Sequence, residues 1–139
     1  MLNESNEAEA RAAERLRSES VIWFTTVSPE GVPEPTPVWF LWEGGDDVLI
    51  YTQPGSLKLR NLGSNDRVAL NLNSDEHGGE VVVFLGRAVS GAEAPVAHEN
   101  EAYLSKYRAG MGSIGLTPEQ FSESFSVPVR VRVTHTRVG

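Results

Sequence analysis

The sequence predicts an α+β protein built on a small β-barrel. Three observations carry that prediction. Six segments have the β-branched, aromatic or alternating character of strands, and most follow one another through short turns, as in a meander. The two or three helical patterns lie mostly near the ends of the chain. Six strands in a strongly twisted sheet tend to curl and close. With 139 residues, the chain fits a single domain, since ~100–200 residues per domain is usual.

The elements read in order. Residues 6–19 form a helix, with Ala8, Ala12, Ala13 and Leu16 as one small-residue stripe and Asn6 with Glu9 as a capping pair. Residues 20–90 hold the barrel core. Val21 to Val27 is β-branched and aromatic, and Pro29-Glu30-Gly31 turns the chain. The second strand carries Pro33, Pro35 and Pro37 and runs on through Val38-Trp39-Phe40-Leu41-Trp42. Proline donates nothing to a ladder, so one edge of this strand lacks partners or contacts something other than a strand. Val48 to Thr52 is the third strand, stopped by Pro54-Gly55, and Ser56 caps a short helix to Leu62. Val68, Leu70 and Leu72 alternate as a fourth strand; Glu80 to Leu85 is a fifth, extended by Gly86 to Val89, with Gly86 marking a bulge or a close approach. Residues 95–125 are helical: one helix from Pro95 to Tyr107 stopped by Gly110, then a short one capped by Thr117 with Pro118 at its first position and Gln120 closing a capping box. Residues 127–137 are the final strand, where Val127, Val129, Val131 and Val133 alternate with polar neighbours or proline.

Composition excludes several functions. There is no cysteine, so thiolate metal sites, disulfides and a cysteine nucleophile are ruled out. The three histidines have no ligand spacing, and no metal site is expected. The net charge of -7 argues against nucleic acid as a partner, because that binding neutralises phosphates with Lys and Arg. No apolar run approaches the ~20 residues of a membrane helix, and the acidic start Met1-Leu2-Asn3-Glu4 is unlike a signal peptide. A cytoplasmic protein without a membrane partner is expected.

Most motifs have bland readings. Gly110-Met111-Gly112-Ser113-Ile114-Gly115 matches a dinucleotide fingerprint but follows a helix instead of a strand, so it reads as an interhelix loop. His98-Glu99 lacks the second histidine of a metalloprotease motif, and His98 reads as a solvated helix residue. No carboxylate pair or nucleophile elbow stands out, and no catalytic side chain is assigned. Thr52 to Leu62 is different. A strand ends, Gly55 turns, and a helix opens at Ser56 with Lys58 in its first turn and Asn61 on the same side. An early lysine opposes the helix dipole, and a bound anion would resolve that conflict. The segment reads as a phosphate cradle or as a surface turn with solvated charges. Pro37-Val38-Trp39 is the second candidate, where an unpaired strand edge could receive a planar ring.

These segments together resemble the split-barrel flavin and deazaflavin reductases related to pyridoxamine 5′-phosphate oxidase. The likeness rests on Gly31, Pro37-Val38-Trp39-Phe40, Tyr51-Thr52, Ser56-x-Lys58-x-x-Asn61-Leu62 and Asp66-Arg67-Val68, in that order. The ending, Tyr103 to Gly115, Thr117 to Phe121 and Val127 to Val131, looks like a branch that uses coenzyme F420. The resemblance implies a six-stranded antiparallel split β-barrel with two or three flanking helices. It implies a homodimer with cofactors in grooves between protomers. By position, Lys58 and Asn61 would bind the cofactor phosphate, with Ser56 and Thr52 assisting. The backbone of Pro37, Val38 and Trp39 would line the ring, and the partner would contribute near Arg87. Leu57 stands where some relatives carry an arginine beside the lysine. The implied activity is F420-dependent hydride transfer to a small planar acceptor, protonated by solvent or by Tyr51. The alternatives are an FMN flavoprotein of the same fold and a non-catalytic cofactor carrier. Haem is disfavoured because no histidine is placed as an axial ligand.

Overall fold

The computed structural model describes residues 1–139. Its elements are α1 (Glu7–Ser18), β1 (Ile22–Val27), β2 (Pro33–Val38), β3 (Leu41–Trp42), β4 (Asp47–Thr52), α2 (Leu57–Leu62), β5 (Arg67–Asn71), β6 (Val82–Ser90), a 3-10 turn (Ala97–Glu99), α3 (Glu101–Ser113), α4 (Pro118–Ser124) and β7 (Val127–Val138). All strand pairs are antiparallel. The seven strands form one sheet in the order β2-β1-β5-β6-β7-β4-β3.

That order fixes the shape. β2 and β3 are the two outer strands, yet only Trp39 and Phe40 separate them in the chain. A few residues span at most ~3.6 Å each, so the sheet must curl until its edges nearly meet. The result is a half-closed barrel whose seam is Trp39-Phe40. Phe40 points into the barrel and is fully buried, and Trp39 packs on the outside against α3 and α4.

The expected six strands are therefore seven. The predicted second strand is cut at the seam because α3 takes the Phe40 backbone: its amide donates to the Tyr107 hydroxyl and its carbonyl accepts from Lys106. The helices are four plus the 3-10 turn, against the two or three flanking helices expected. The predicted helix from Pro95 starts instead at Glu101, where the Asn100 side chain accepts from the Tyr103 amide. It does not stop at Gly110 but continues to Ser113, so four residues of the glycine motif are helical and not a loop. Gly110 is needed for packing: a Cβ there would lie 3.2 Å from the Trp39 ring.

Other local expectations are met. Ser56 and Thr117 cap their helices, the latter with a complete capping box. The β6–β7 register shifts between Leu85 and Gly86. At Gly86 the strands approach so closely that a Cβ would sit 2.3 Å from the Arg132 carbonyl. Pro33, Pro35 and Pro37 face outward along the β2 edge, with Glu34, Thr36 and Val38 turned inward. α1 buries Ala12, Ala13 and Leu16; Ala12 and Leu16 join the barrel core. His98 is not a solvated helix residue. It belongs to the 3-10 turn, where its amide and Nδ1 both meet the buried Ser122 hydroxyl, at 2.7 and 2.8 Å.

Candidate functional site

A cleft of about 420 Å³ opens beside the seam. That lies within the roughly 300–1,000 Å³ usual for small-molecule sites. Its walls come from separate elements: Pro37, Val38 and Trp39 from the seam, Tyr51 and Thr52 from the end of β4, Gln53, Ser56 and Lys58 around the α2 turn, and Tyr103, Ile114, Phe121 and Phe125 from the α3–α4 unit, with Val21 below.

One part of the wall is polar and cationic. Lys58 is half-buried, and burial alone holds its ammonium below the ordinary lysine range, with no carboxylate offsetting the cost. No aspartate or glutamate lines the cleft, so Lys58 is its one charged side chain. The Thr52 and Ser56 hydroxyls lie 3.4 Å apart beside it. Gly55, at φ +75°, makes the turn that carries the chain from β4 into α2.

The rest of the wall is aromatic. Trp39 stacks on Tyr107 at 4.7 Å with planes 7° apart, and on Phe121 at 5.4 Å and 12°. Phe121 in turn stacks on Phe125. The Trp39 backbone N–H and C=O make no hydrogen bond within the chain. A donor and an acceptor are thus left free on the same residue of the wall. The cleft therefore suits a molecule with one anionic end and a flat apolar body carrying polar atoms on its rim.

Of the expected site residues, Pro37, Val38, Trp39, Tyr51, Thr52, Ser56 and Lys58 line this one cleft. Two do not. Asn61 is buried with its amide nitrogen donating to Thr26 at 3.0 Å and Glu34 at 2.8 Å, so it ties α2 to β1 and β2. Arg87 is exposed on the outer face of β6, paired with Asp66 at 2.9 Å. The Tyr51 hydroxyl is committed to the Pro95 carbonyl and Asn100. Burial raises that phenol above its ordinary range, against the opposing pull of the Asn100 hydrogen bond. Beyond Trp39 and Tyr51, the aromatic side of the cleft escaped sequence reasoning. Tyr103 and Phe121 sit at helical spacings that mark any core, and nothing local says that the core borders a cleft.

The family model for pyridoxamine 5′-phosphate oxidase matches residues 8–132. The chain belongs to this family. No curated protein matches it. Among solved structures, a Listeria innocua protein provisionally named a pyridoxamine 5′-phosphate oxidase aligns with TM-score 0.70 and 19% identity, over 95% of this chain and 98% of that one. An F420 reductase aligns with TM-score 0.66 and 21% identity, over 89% and 94%. HutZ, the haem storage protein of Vibrio cholerae, aligns with TM-score 0.66 and 16% identity, over 96% and 95%. At such identities the shared feature is the fold, a flavin-binding oxidoreductase-like one that also serves haem proteins. Within this family member, no helix is long and apolar enough to cross a membrane.

Proposed function

We propose that the chain is a cytoplasmic oxidoreductase that holds coenzyme F420 in the cleft and transfers a hydride between it and a small planar substrate. The observation that carries this reading is the pairing, in one cleft, of an unneutralised Lys58 with the free backbone donor and acceptor of Trp39. Lys58 would hold the phosphate, and Thr52 and Ser56 would add hydroxyl contacts. The seam from Pro37 to Trp39 would set the plane of the ring. The bound cofactor supplies the hydride chemistry, and the protein supplies orientation and exclusion of water.

F420 is preferred to FMN because Tyr103 to Gly115, Thr117 to Phe121 and Val127 to Val131 resemble the branch of the family that uses it. Lys58 is the only cation among the residues lining the cleft, and exposed Leu57 beside it adds none. The haem carriers that share the fold suggest a second reading, but none of the three histidines lines the cleft.

The proposal includes a homodimer. The outer sheet face carries exposed Leu85 and Val89, with Arg67, Arg87 and Arg132 in register across β5, β6 and β7. This is the surface through which Arg87 would reach a partner's cofactor. Sedimentation at twice the 15.2 kDa chain mass is expected, and a strict monomer would remove this part of the proposal.

The deciding experiment is a fluorescence titration with F420 and with FMN, followed by desalting and an absorbance scan. Tight F420 and weak FMN binding is expected. Lys58→Ala should weaken binding at least ~10-fold, the loss of one charge-assisted contact. Unchanged affinity would overturn the site assignment.

A further inference from the structure

We propose that Lys106 and Tyr107, neither of which lines the cleft, are positioning residues that aim the Trp39 backbone and ring at the bound cofactor. The inference rests on the function proposed above but is tested separately from it.

The geometry begins at Phe40. Its amide donates to the Tyr107 hydroxyl at 2.8 Å, and its carbonyl accepts from Lys106 Nζ at 3.0 Å. One turn of α3 thus satisfies both groups that a continuous strand would give to a ladder. The Phe40 nitrogen belongs to the Trp39–Phe40 peptide, and no peptide in the chain is cis. In a trans peptide, N–H and C=O point in opposite directions. With the N–H turned onto α3, the Trp39 carbonyl is turned away from it and left unpaired.

The same side chains anchor this arrangement to the N-terminal part of the fold. Lys106 also donates to the Leu16 carbonyl in the last turns of α1, at 3.2 Å. The Tyr107 hydroxyl lies 2.8 Å from both the Ser20 and the Phe40 carbonyls but has one proton to give. Since Lys106 serves Phe40, that proton is free for Ser20. The rings complete the hold. The Lys106 ammonium stands 3.7 Å from the Phe40 ring centre, and the Tyr107 ring carries the Trp39 indole.

The test uses three variants of the full chain. Lys106→Met keeps the aliphatic stem without donors, Lys106→Arg keeps donors, and Tyr107→Phe keeps the ring without the hydroxyl. With 15N-tryptophan labelling, Trp39 should shift its amide and indole signals in Lys106→Met and Tyr107→Phe, while the indole of Trp23, bonded to Asn73 beyond the end of the neighbouring β5, stays in place. Affinity for whichever of F420 and FMN the native chain binds should fall at least ~10-fold in both, and Lys106→Arg should restore signals and affinity to within about threefold. A folded Lys106→Met or Tyr107→Phe with native Trp39 signals, or with native affinity, overturns the proposal. If Lys106→Met does not fold, Tyr107→Phe decides. If the native chain binds neither probe, the proposed function fails, and the ligand-free Trp39 signals still judge the clamp.

Discussion

The two cores of this molecule are built from different residues and do different work. The barrel core gathers 16 buried residues, mostly Val, Leu and Ile with three Phe and no tyrosine. The second core, between the outer face of β4 and the α3–α4 unit, has seven, and it holds all three tyrosines of the chain. Aliphatic side chains fill a closed interior to crystal-like density because they have good shape and no polar atoms to satisfy. Flat rings with hydroxyl handles suit a wall that stops at a cleft. The barrel makes the fold stable, and the aromatic layer turns part of its outer surface into a site.

The largest test of that contrast removes one phenyl ring from each core. Phe84→Ala, at a site 1% exposed in the barrel, should cost about 3–5 kcal/mol in urea unfolding, because little around it can collapse. Phe121→Ala, 2% exposed beside the cleft, should cost about 3 kcal/mol or less, since the cleft gives neighbours and water room to fill the gap. Ligand affinity should fall sharply with it. Equal stability costs would erase the distinction.

A smaller effect should come from pH. Burial pulls the Lys106 ammonium from 10.5 down to about 8. In the folded chain this cation is disfavoured, so its cost is present below pH 8 and is relieved as pH rises toward the unfolded value. Between pH 8 and 10 the native chain should therefore gain stability relative to Lys106→Met. A constant difference between the two denaturation midpoints across that range would refute it.

The smallest effect sharpens the account of the aromatic layer. The hydroxyls of Tyr51 and Tyr107 are bonded, whereas that of Tyr103 is buried without a partner. Tyr103→Phe should leave thermal stability within about 0.5 kcal/mol or raise it, because an unpaired polar atom is lost with no bond broken. A loss above about 1 kcal/mol would mean that this hydroxyl is bonded in solution.

How much was legible in the sequence follows the same division. Alternation in Val129-Arg130-Val131-Arg132-Val133 and in Val68 to Leu72 announces one buried face, because the side-chain period of a strand is two wherever the chain goes. Caps at Ser56 and Thr117 are legible because capping is made within four residues. The cut after Val38 was not legible. Val38 to Trp42 reads as one strand, and the groups that break it, on Lys106 and Tyr107, lie more than sixty residues away. Asn61 looked like a ligand residue by its place one turn after Lys58, but that spacing cannot say that Thr26 and Glu34 would claim its amide.

The sequence by itself determined the strand pattern, the turn and cap chemistry, the basic α2 turn and the likeness to a flavin-binding family, since each is written in neighbours or in an ordered string of short motifs. Only the tertiary structure decided that the two sheet edges meet at Trp39-Phe40, that α3 takes the Phe40 backbone, and that Lys58 and Trp39 face one cleft. Those outcomes depend on which distant groups satisfy a buried peptide, and a peptide's partners are chosen by the packing of the whole chain.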